Sequence, residues 1–116
     1  MNTVTLGLSG RAEANARFVE AMHGKKLGNF ISFEGPGILF KTLTLKRWEI
    51  LRVLTGKKPV SIREAARLVG RDVKAVHGDV TALLDVGILQ KTEKNKINFP
   101  FDRLHVDFEL LEEKRA

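Results

Sequence analysis

The chain has 116 residues, of which 43% are hydrophobic, so it is long enough for one domain with its own apolar core. It contains no cysteine, which excludes disulfide bridges and thiolate metal sites. No apolar run approaches the roughly 20 residues of a membrane span, and the first ten residues lack the basic and apolar regions of a signal peptide. These features predict a cytoplasmic protein.

The formal net charge is +6, and it is concentrated in the middle of the sequence. Residues 41–80 contain ten lysines and arginines against four acidic residues, which accounts for the whole surplus. A basic centre between nearly neutral ends is typical of a protein that binds a polyanion. A solvated basic surface gives the same count, so charge alone leaves both interpretations open.

The N-terminal part predicts a strand and a helix ahead of the main unit. TVTLGL alternates apolar with polar or small residues, as a strand does, and a helix is expected from about residue 11 to residue 23. The glycine-rich stretch 24–37 then favours a boundary. We predict an N-terminal appendage of residues 1–35, for dimerisation or partner binding, and a main domain of residues 36–116.

A short strand over 30–34 and a short helix over 36–42 lead into a longer helix, which is predicted from its N-cap Thr44 to about Thr55. Apolar residues recur along this helix at helical spacing, so one face is expected to pack on the core. That face comprises Leu45, Trp48, Leu51 and Leu54.

Two further helices are separated by a very short turn. Ser61 and Glu64 match a capping box at the start of a helix that Gly70 closes, and Asp72 can cap the next helix, residues 72–86. Two short helices joined by a tight turn are typical of a helix-turn-helix, whose second helix enters the DNA major groove. Many such pairs are only structural.

A β-hairpin is predicted over residues 88–100, where two runs with apolar residues flank EKNK. Three helices followed by a hairpin with a basic tip correspond to the winged-helix plan. We therefore predict an α+β fold, a winged helix-turn-helix with a three-helix core, a β-hairpin wing and an N-terminal strand-helix appendage. Lysines of the wing would meet DNA phosphates, which adds affinity without sequence information.

The outer face of the 72–86 helix carries the proposed recognition chemistry. Gly78 costs this helix about 1 kcal/mol relative to alanine, and two reasons for it remain open: close packing against another helix, or close approach of the backbone to DNA. His77 is expected to be half-buried in packing. Asp79 is expected to pair with an arginine at position 63, 67 or 71. The predicted DNA contacts are Ser61, Arg63, Arg71, Lys74, His77, Gly78, Thr81, Lys91, Lys94 and Lys96.

The stretch LTLKRWEILRVLTGKKPVSIREAARLVGRDVKAVHGDVTALLDVGIL, with FPFD after it, resembles the winged-helix predicted transcriptional regulators related to the MarR group. Their typical sequence has an LT-x-x-R helix start, SIRELA, GRD-x-x-x-V-x-x-DV-x-x-L, GL(I) and a wing that ends in FPYD. The likeness covers about residues 40–108, with Ala65 in place of the usual Leu and Phe101 in place of the usual Tyr. It implies sequence-specific DNA binding, and also that the chain is similar to regulators that act as antitoxins.

No motif of an enzyme accompanies these features. The chain has three histidines and no tyrosine, and it lacks H-E-x-x-H, P-loop and G-x-S-x-G sequences. We therefore predict no catalytic residue, no metal site and no cofactor. The predicted function is that of a sequence-specific regulator that binds duplex DNA. The alternative is an antitoxin-type or other interaction module that binds a partner protein such as a toxin, but such a module has no reason to place its charge surplus on residues 41–80.

A homodimer is predicted because two amphipathic strands need a partner. RLHVDFELL alternates apolar and polar residues as TVTLGL does, and pairing the two strands, within a chain or between chains, would cover both. Two half-sites also discriminate a DNA sequence better than one helix. The alternative is a monomer whose termini close on themselves. The predicted interface comprises Val4, Leu6, Leu8, Phe18, Met22, Val106, Phe108 and Leu110.

Overall fold

The computed structural model describes residues 2–8 and 29–108. Its elements in chain order are β1 (Thr3–Leu8), β2 (Asn29–Phe33), α1 (Pro36–Thr42), α2 (Leu45–Leu54), α3 (Ile62–Val69), α4 (Val73–Asp85), β3 (Gln90–Lys91), β4 (Ile97–Asn98) and β5 (Arg103–Asp107). Helices and small sheets both contribute, so the predicted α+β class is confirmed. The helix predicted from residue 11 to residue 23 lies outside the described residues, as do Phe18, Met22 and Leu110 of the predicted interface.

Side-chain caps determine where three of the helices begin. The Thr44 hydroxyl accepts a hydrogen bond from a backbone N–H of α2 at 3.2 Å, and the Ser61 hydroxyl accepts one from α3 at 3.0 Å. The Asp72 carboxylate accepts bonds of 3.1 and 3.4 Å from the first turn of α4. Each bond satisfies an N–H group that the helix itself leaves without a partner. All three predicted N-caps are confirmed.

The turn between α3 and α4 depends on a left-handed glycine. Gly70 has φ +68°, which glycine adopts without the steric cost that a Cβ brings. Its N–H donates to the Arg67 carbonyl at 3.2 Å, and the Arg71 N–H donates to the Ala66 carbonyl at 3.0 Å. This pair of bonds is the Schellman motif, which satisfies the last carbonyls of α3. The turn thereby fixes the direction in which α4 leaves α3.

The inward face of α2 differs from the predicted one. Leu51 and Leu54 are buried as predicted, but Leu45 is 76% exposed and Trp48 is 41% exposed, and Ile50 lies in the core instead. Leu45 is the first residue of α2. The rest of the core includes Leu39, Ala65, Ala66, Val76, Val80, Leu83, Ile88, Leu89, Ile97, Phe99 and Phe101.

Strands β1, β2 and β5 form a parallel sheet in the order β2–β1–β5. In the register, Val4 lies between Asn29 of β2 and Leu104 of β5. The two amphipathic strands therefore pair within the chain, which confirms the intrachain form of the predicted pairing. Val4 and Leu6 of the predicted dimer interface are fully buried inside this single chain, so their apolar character needs no second copy to explain it.

The predicted hairpin is confirmed as β3 and β4, which pair antiparallel. Val60, in the segment between α2 and α3, adds a bridge to Ile97 of β4, with N–H to carbonyl bonds of 3.0 and 2.7 Å in the two directions. Asn95 provides the turn with φ +62°, a left-handed conformation that Asn tolerates better than most residues. The hairpin is thus attached to the segment that leads into α3.

Candidate nucleic-acid interface

The outer face of α4 lies at the surface of the protein. Lys74, His77, Gly78 and Thr81 follow one another at spacings of three and four residues and are all exposed. The opposite face, with Val76, Val80 and Leu83, is fully buried. The structure therefore brings these four predicted contacts together on one side of one helix. The expectation that His77 is half-buried is wrong, because the core-facing stripe of α4 does not extend to its position.

Gly78 has no packing role inside the described chain. A Cβ built on its backbone would meet no heavy atom within 4 Å, and its backbone lacks the positive φ seen at three other glycines. Close packing against another helix, one of the two predicted reasons for this glycine, is therefore excluded within the described residues. The other predicted reason, close approach of the backbone to DNA, stays a prediction.

A carboxylate on the inner flank of α4 is held by two arginines. Asp79 Oδ1 accepts a bond from Arg47 Nε at 3.1 Å, and Asp79 Oδ2 accepts one from Arg71 Nη2 at 2.8 Å. The carboxylate is only 17% exposed, and each arginine side chain is 21% exposed. The predicted pairing of Asp79 is confirmed for Arg71. Arg47, on α2, was not predicted because no periodic pattern links α2 with α4.

Arg47 also extends this cluster to the end of α1. Its Nη1 donates to the carbonyls of Lys41 and Thr42 at 3.1 and 3.0 Å. These carbonyls belong to the last turn of α1, where the helix itself provides no N–H donor for them. One guanidinium thus ties α1 to the inner flank of α4. Partial burial alone would raise the pKa of the Asp79 carboxyl, but the hydrogen bonds from Arg71 and Arg47 outweigh it, so this pKa lies below its usual value.

The predicted contacts outside α4 differ in their surroundings. Arg71 is committed to Asp79, and its Nη1 is buried without a hydrogen-bond partner among the described residues. Arg63 is exposed and lines a shallow cleft between α3 and α4 together with Ser61 and Arg67. The Ser61 hydroxyl caps α3. The hairpin residues Lys91, Lys94 and Lys96 are exposed.

Ion pairs divide the ten basic residues of the 41–80 segment into two groups. Arg47 and Arg71 share Asp79, Arg52 pairs with Glu49 and Arg67 pairs with Glu64. The other six have no carboxylate within 4.0 Å in the described part of the chain. They are Lys41, Lys46, Lys57, Lys58, Arg63 and Lys74. The positive surface is therefore made mainly of lysine ammonium groups.

A protein-family model named HVO_A0114 matches residues 42–106, more than half of the chain. The chain belongs to the HVO_A0114 family. The match runs from the end of α1 almost to the end of β5, so every predicted DNA contact lies inside the HVO_A0114 region, and β1 and β2 lie outside it. The searches found no significant match to a curated protein or to a solved structure.

Residues 2–8 and 29–108 of this HVO_A0114 family member meet the requirements of neither a metal site nor a membrane-spanning helix. No group of three His, Asp or Glu side chains is arranged to hold a metal ion there. None of the helices in these ranges has the length and apolar character needed to cross a membrane.

Proposed function

We propose that this protein is a transcriptional regulator that binds duplex DNA in a sequence-specific manner, with α4 as the recognition helix. The observation that carries the proposal is the outer face of α4. It combines an ammonium group at Lys74, which has no carboxylate partner among the described residues, with hydrogen-bonding groups at His77 and Thr81 and with open backbone at Gly78. A major groove about 12 Å wide admits a helix whose face carries such groups.

The arrangement around α4 supports a winged helix as the finer description of the fold. Helices α2, α3 and α4 precede a β-hairpin, and the turn between α3 and α4 contains three residues, Gly70 to Asp72. The Val60 bridge adds a third extended segment to the hairpin. The sequence resemblance to MarR-related winged-helix regulators belongs to the same proposal. In this description α3 and α4 form the helix-turn-helix, and the hairpin is the wing.

The test is to select a preferred duplex from a random library and to measure its affinity for Lys74→Ala. If Lys74 reads a base, the variant should lose about 1–3 kcal/mol on the selected duplex and relax specificity at one position. If Lys74 meets a phosphate, the loss should be equal for all sequences, and the salt slope should shrink by about one unit. Lys41→Ala is the matched control, because Lys41 is an exposed lysine on α1. Absence of salt-dependent duplex binding, or equal effects of both variants, would contradict the proposal.

We further propose that the regulator is a homodimer. Strand β5 lies at one edge of the described sheet, and Val106 on it is 37% exposed. An exposed sheet edge with an apolar side chain favours pairing with another chain. Sedimentation equilibrium at micromolar concentration tests this, because a species near the chain mass of 13.0 kDa at every concentration would refute the dimer. Val106→Arg should favour the monomer, whereas His105→Arg, which alters the alternate face of the same strand, should not.

The alternative is an interaction module that binds another protein, such as a toxin. Helices α1 and α2 favour it, because four of their large apolar side chains are 41–76% exposed: Ile38, Phe40, Leu45 and Trp48. Exposed apolar groups of this size are typical of protein docking surfaces when they are contiguous. The two candidates differ in one simple measurement. Retention on immobilised duplex DNA at low salt, lost as the salt rises, is expected only of the DNA-binding protein.

A further inference from the structure

We infer that Lys58 and the hairpin residues Lys94 and Lys96 form one cleft that binds a backbone phosphate of duplex DNA. The inference rests on the proposed DNA-binding function and adds Lys58, which is not among the DNA contacts predicted from the sequence. Its lining comes from two places in the chain: Lys58 and Pro59 before α3, and Thr92, Glu93, Lys94 and Lys96 at the tip of the hairpin.

Backbone hydrogen bonds hold the two sides of this cleft at a fixed distance. Val60 and Ile97 exchange two N–H to carbonyl bonds, and each residue follows closely on one wall of the cleft. The wall formed by the hairpin tip has its own bonds. The Thr92 N–H donates to the Lys96 carbonyl at 2.8 Å, and the Lys96 N–H donates to the Thr92 hydroxyl at 3.1 Å. The positions from which the lysines extend are therefore set before any ligand arrives.

The charge of the cleft specifies an anionic ligand. Three lysine side chains line it together with a single acidic one, that of Glu93, and none of the three lysines forms an ion pair within the described residues. An anion bound in the cleft would lower the repulsion among the like charges of its lining. The protein groups that would bind the anion are exposed lysine ammonium groups. They lack the planar donor pair of an arginine guanidinium and bind a phosphate as point charges.

The position of the cleft makes duplex DNA the partner. It is built from the segment that enters α3 and from the hairpin that follows α4, so both of its walls are continuous in the chain with the helix pair that carries the proposed base contacts. Phosphate contacts beside a recognition helix fix its register and orientation, and they carry no sequence information themselves. The cleft would thus contribute to affinity and to the placement of α4.

The experiment measures the salt dependence of duplex affinity for Lys58→Ala and Lys57→Ala. Lys57 is the matched control, because it is an exposed lysine next to Lys58 that does not line the cleft. Loss of one phosphate contact should lower the slope of log affinity against log salt by about 0.9. We expect this for Lys58→Ala on every duplex sequence, with a clearly smaller change for Lys57→Ala. If both lysines hold the same phosphate, adding Lys94→Ala to Lys58→Ala should cost less than the sum of the single effects.

Three outcomes would separate the cleft from the DNA-binding function itself. Equal slopes for Lys57→Ala and Lys58→Ala, with normal duplex binding by the unaltered chain, would overturn the cleft and leave the function standing. Additive losses for Lys58→Ala and Lys94→Ala would overturn the single shared site. If the unaltered chain binds no duplex, pyrophosphate titrated at low salt still tests the cleft: shifts in the NMR resonances of Lys58, Thr92 and Lys94 support it, and unchanged resonances refute it.

Discussion

Gly78→Ala should make the protein more stable and make it a weaker DNA binder. Glycine in a helix interior costs about 1 kcal/mol relative to alanine, chiefly because it loses more backbone freedom on folding. The added Cβ would meet no heavy atom within 4 Å, so no steric penalty offsets the gain. The free energy of unfolding should therefore rise by about 0.5–1 kcal/mol, which corresponds to a melting temperature higher by about 2–5 °C.

The affinity for DNA should fall while the stability rises if the backbone of α4 approaches the bases at Gly78. A methyl group would then occupy space that the ligand needs, and the neighbouring contacts of Lys74 and Thr81 would lengthen with it. We expect an affinity lower by about tenfold or more on the selected duplex, equivalent to about 1.4 kcal/mol. Non-specific affinity should fall less, because it depends on phosphate contacts. Fluorescence anisotropy and urea unfolding on the same preparations measure the two effects.

Gly37→Ala is the matched control for this experiment. Gly37 also lies in a helix, α1, with no heavy atom within 4 Å of a built Cβ, and α1 is not part of the proposed DNA face. This variant should leave DNA affinity unchanged. A Gly78→Ala protein that is more stable and binds the duplex normally would refute close approach at α4. A Gly78→Ala protein that is less stable would refute the conclusion that the space beside Gly78 is open.

Two further variants test the turn and the arginine pair around α4. Gly70→Ala should lower the free energy of unfolding by about 1 kcal/mol, because φ +68° is strained for any residue with a Cβ; urea unfolding that shows no loss would contradict the left-handed turn. Asp79→Asn should cost about 2 kcal/mol at neutral pH, since two guanidinium groups lose a charged acceptor. Because the folded-state pKa of Asp79 is lowered, its contribution is complete above the unfolded pKa of about 3.9 and is lost as the pH falls through the folded value. Unfolding from pH 7 to pH 2 should therefore depend less on pH in Asp79→Asn than in the unaltered chain, and equal dependence would refute the role of the carboxylate.

Helix boundaries could be predicted from the sequence because they depend on nearest neighbours along the chain. Thr44, Ser61 and Asp72 each accept a bond from an N–H two or three residues away, so the signal and the structure lie within one turn. The same holds for Gly70, whose conformation closes α3 locally. The predicted 72–86 helix accordingly agrees with α4, Val73–Asp85, to one residue at each end.

Features that depend on distant partners were not accessible in this way. Periodicity placed Trp48 on the inner face of α2, but which residues are buried depends on the packing of elements that are distant in the sequence, and Ile50 lies in the core instead. His77 borders the apolar stripe in sequence and lies outside the packed face in space. Arg47 meets Asp79 only because α2 crosses α4, a contact between residues far apart in the chain. No spacing rule along one helix encodes such a contact.

The use of arginine and lysine in the basic segment bears on how DNA would be recognised. Four of its five arginines are in ion pairs, at positions 47, 52, 67 and 71, while none of its five lysines is in an ion pair among the described residues. Arginine is the side chain that most often reads guanine through two bonds. Arg63 is the one arginine of this segment that has no ion pair among the described residues, so it could take that role without breaking one. Most of the attraction to DNA would then come from lysines, which act on phosphates and give affinity that decreases steeply with salt.

Specificity would depend on Arg63 and the few polar groups of α4, too few to discriminate one site among the competing sequences of a genome. That shortage is the energetic reason to expect two copies of α4 on one operator, and it links the proposed dimer to the proposed function.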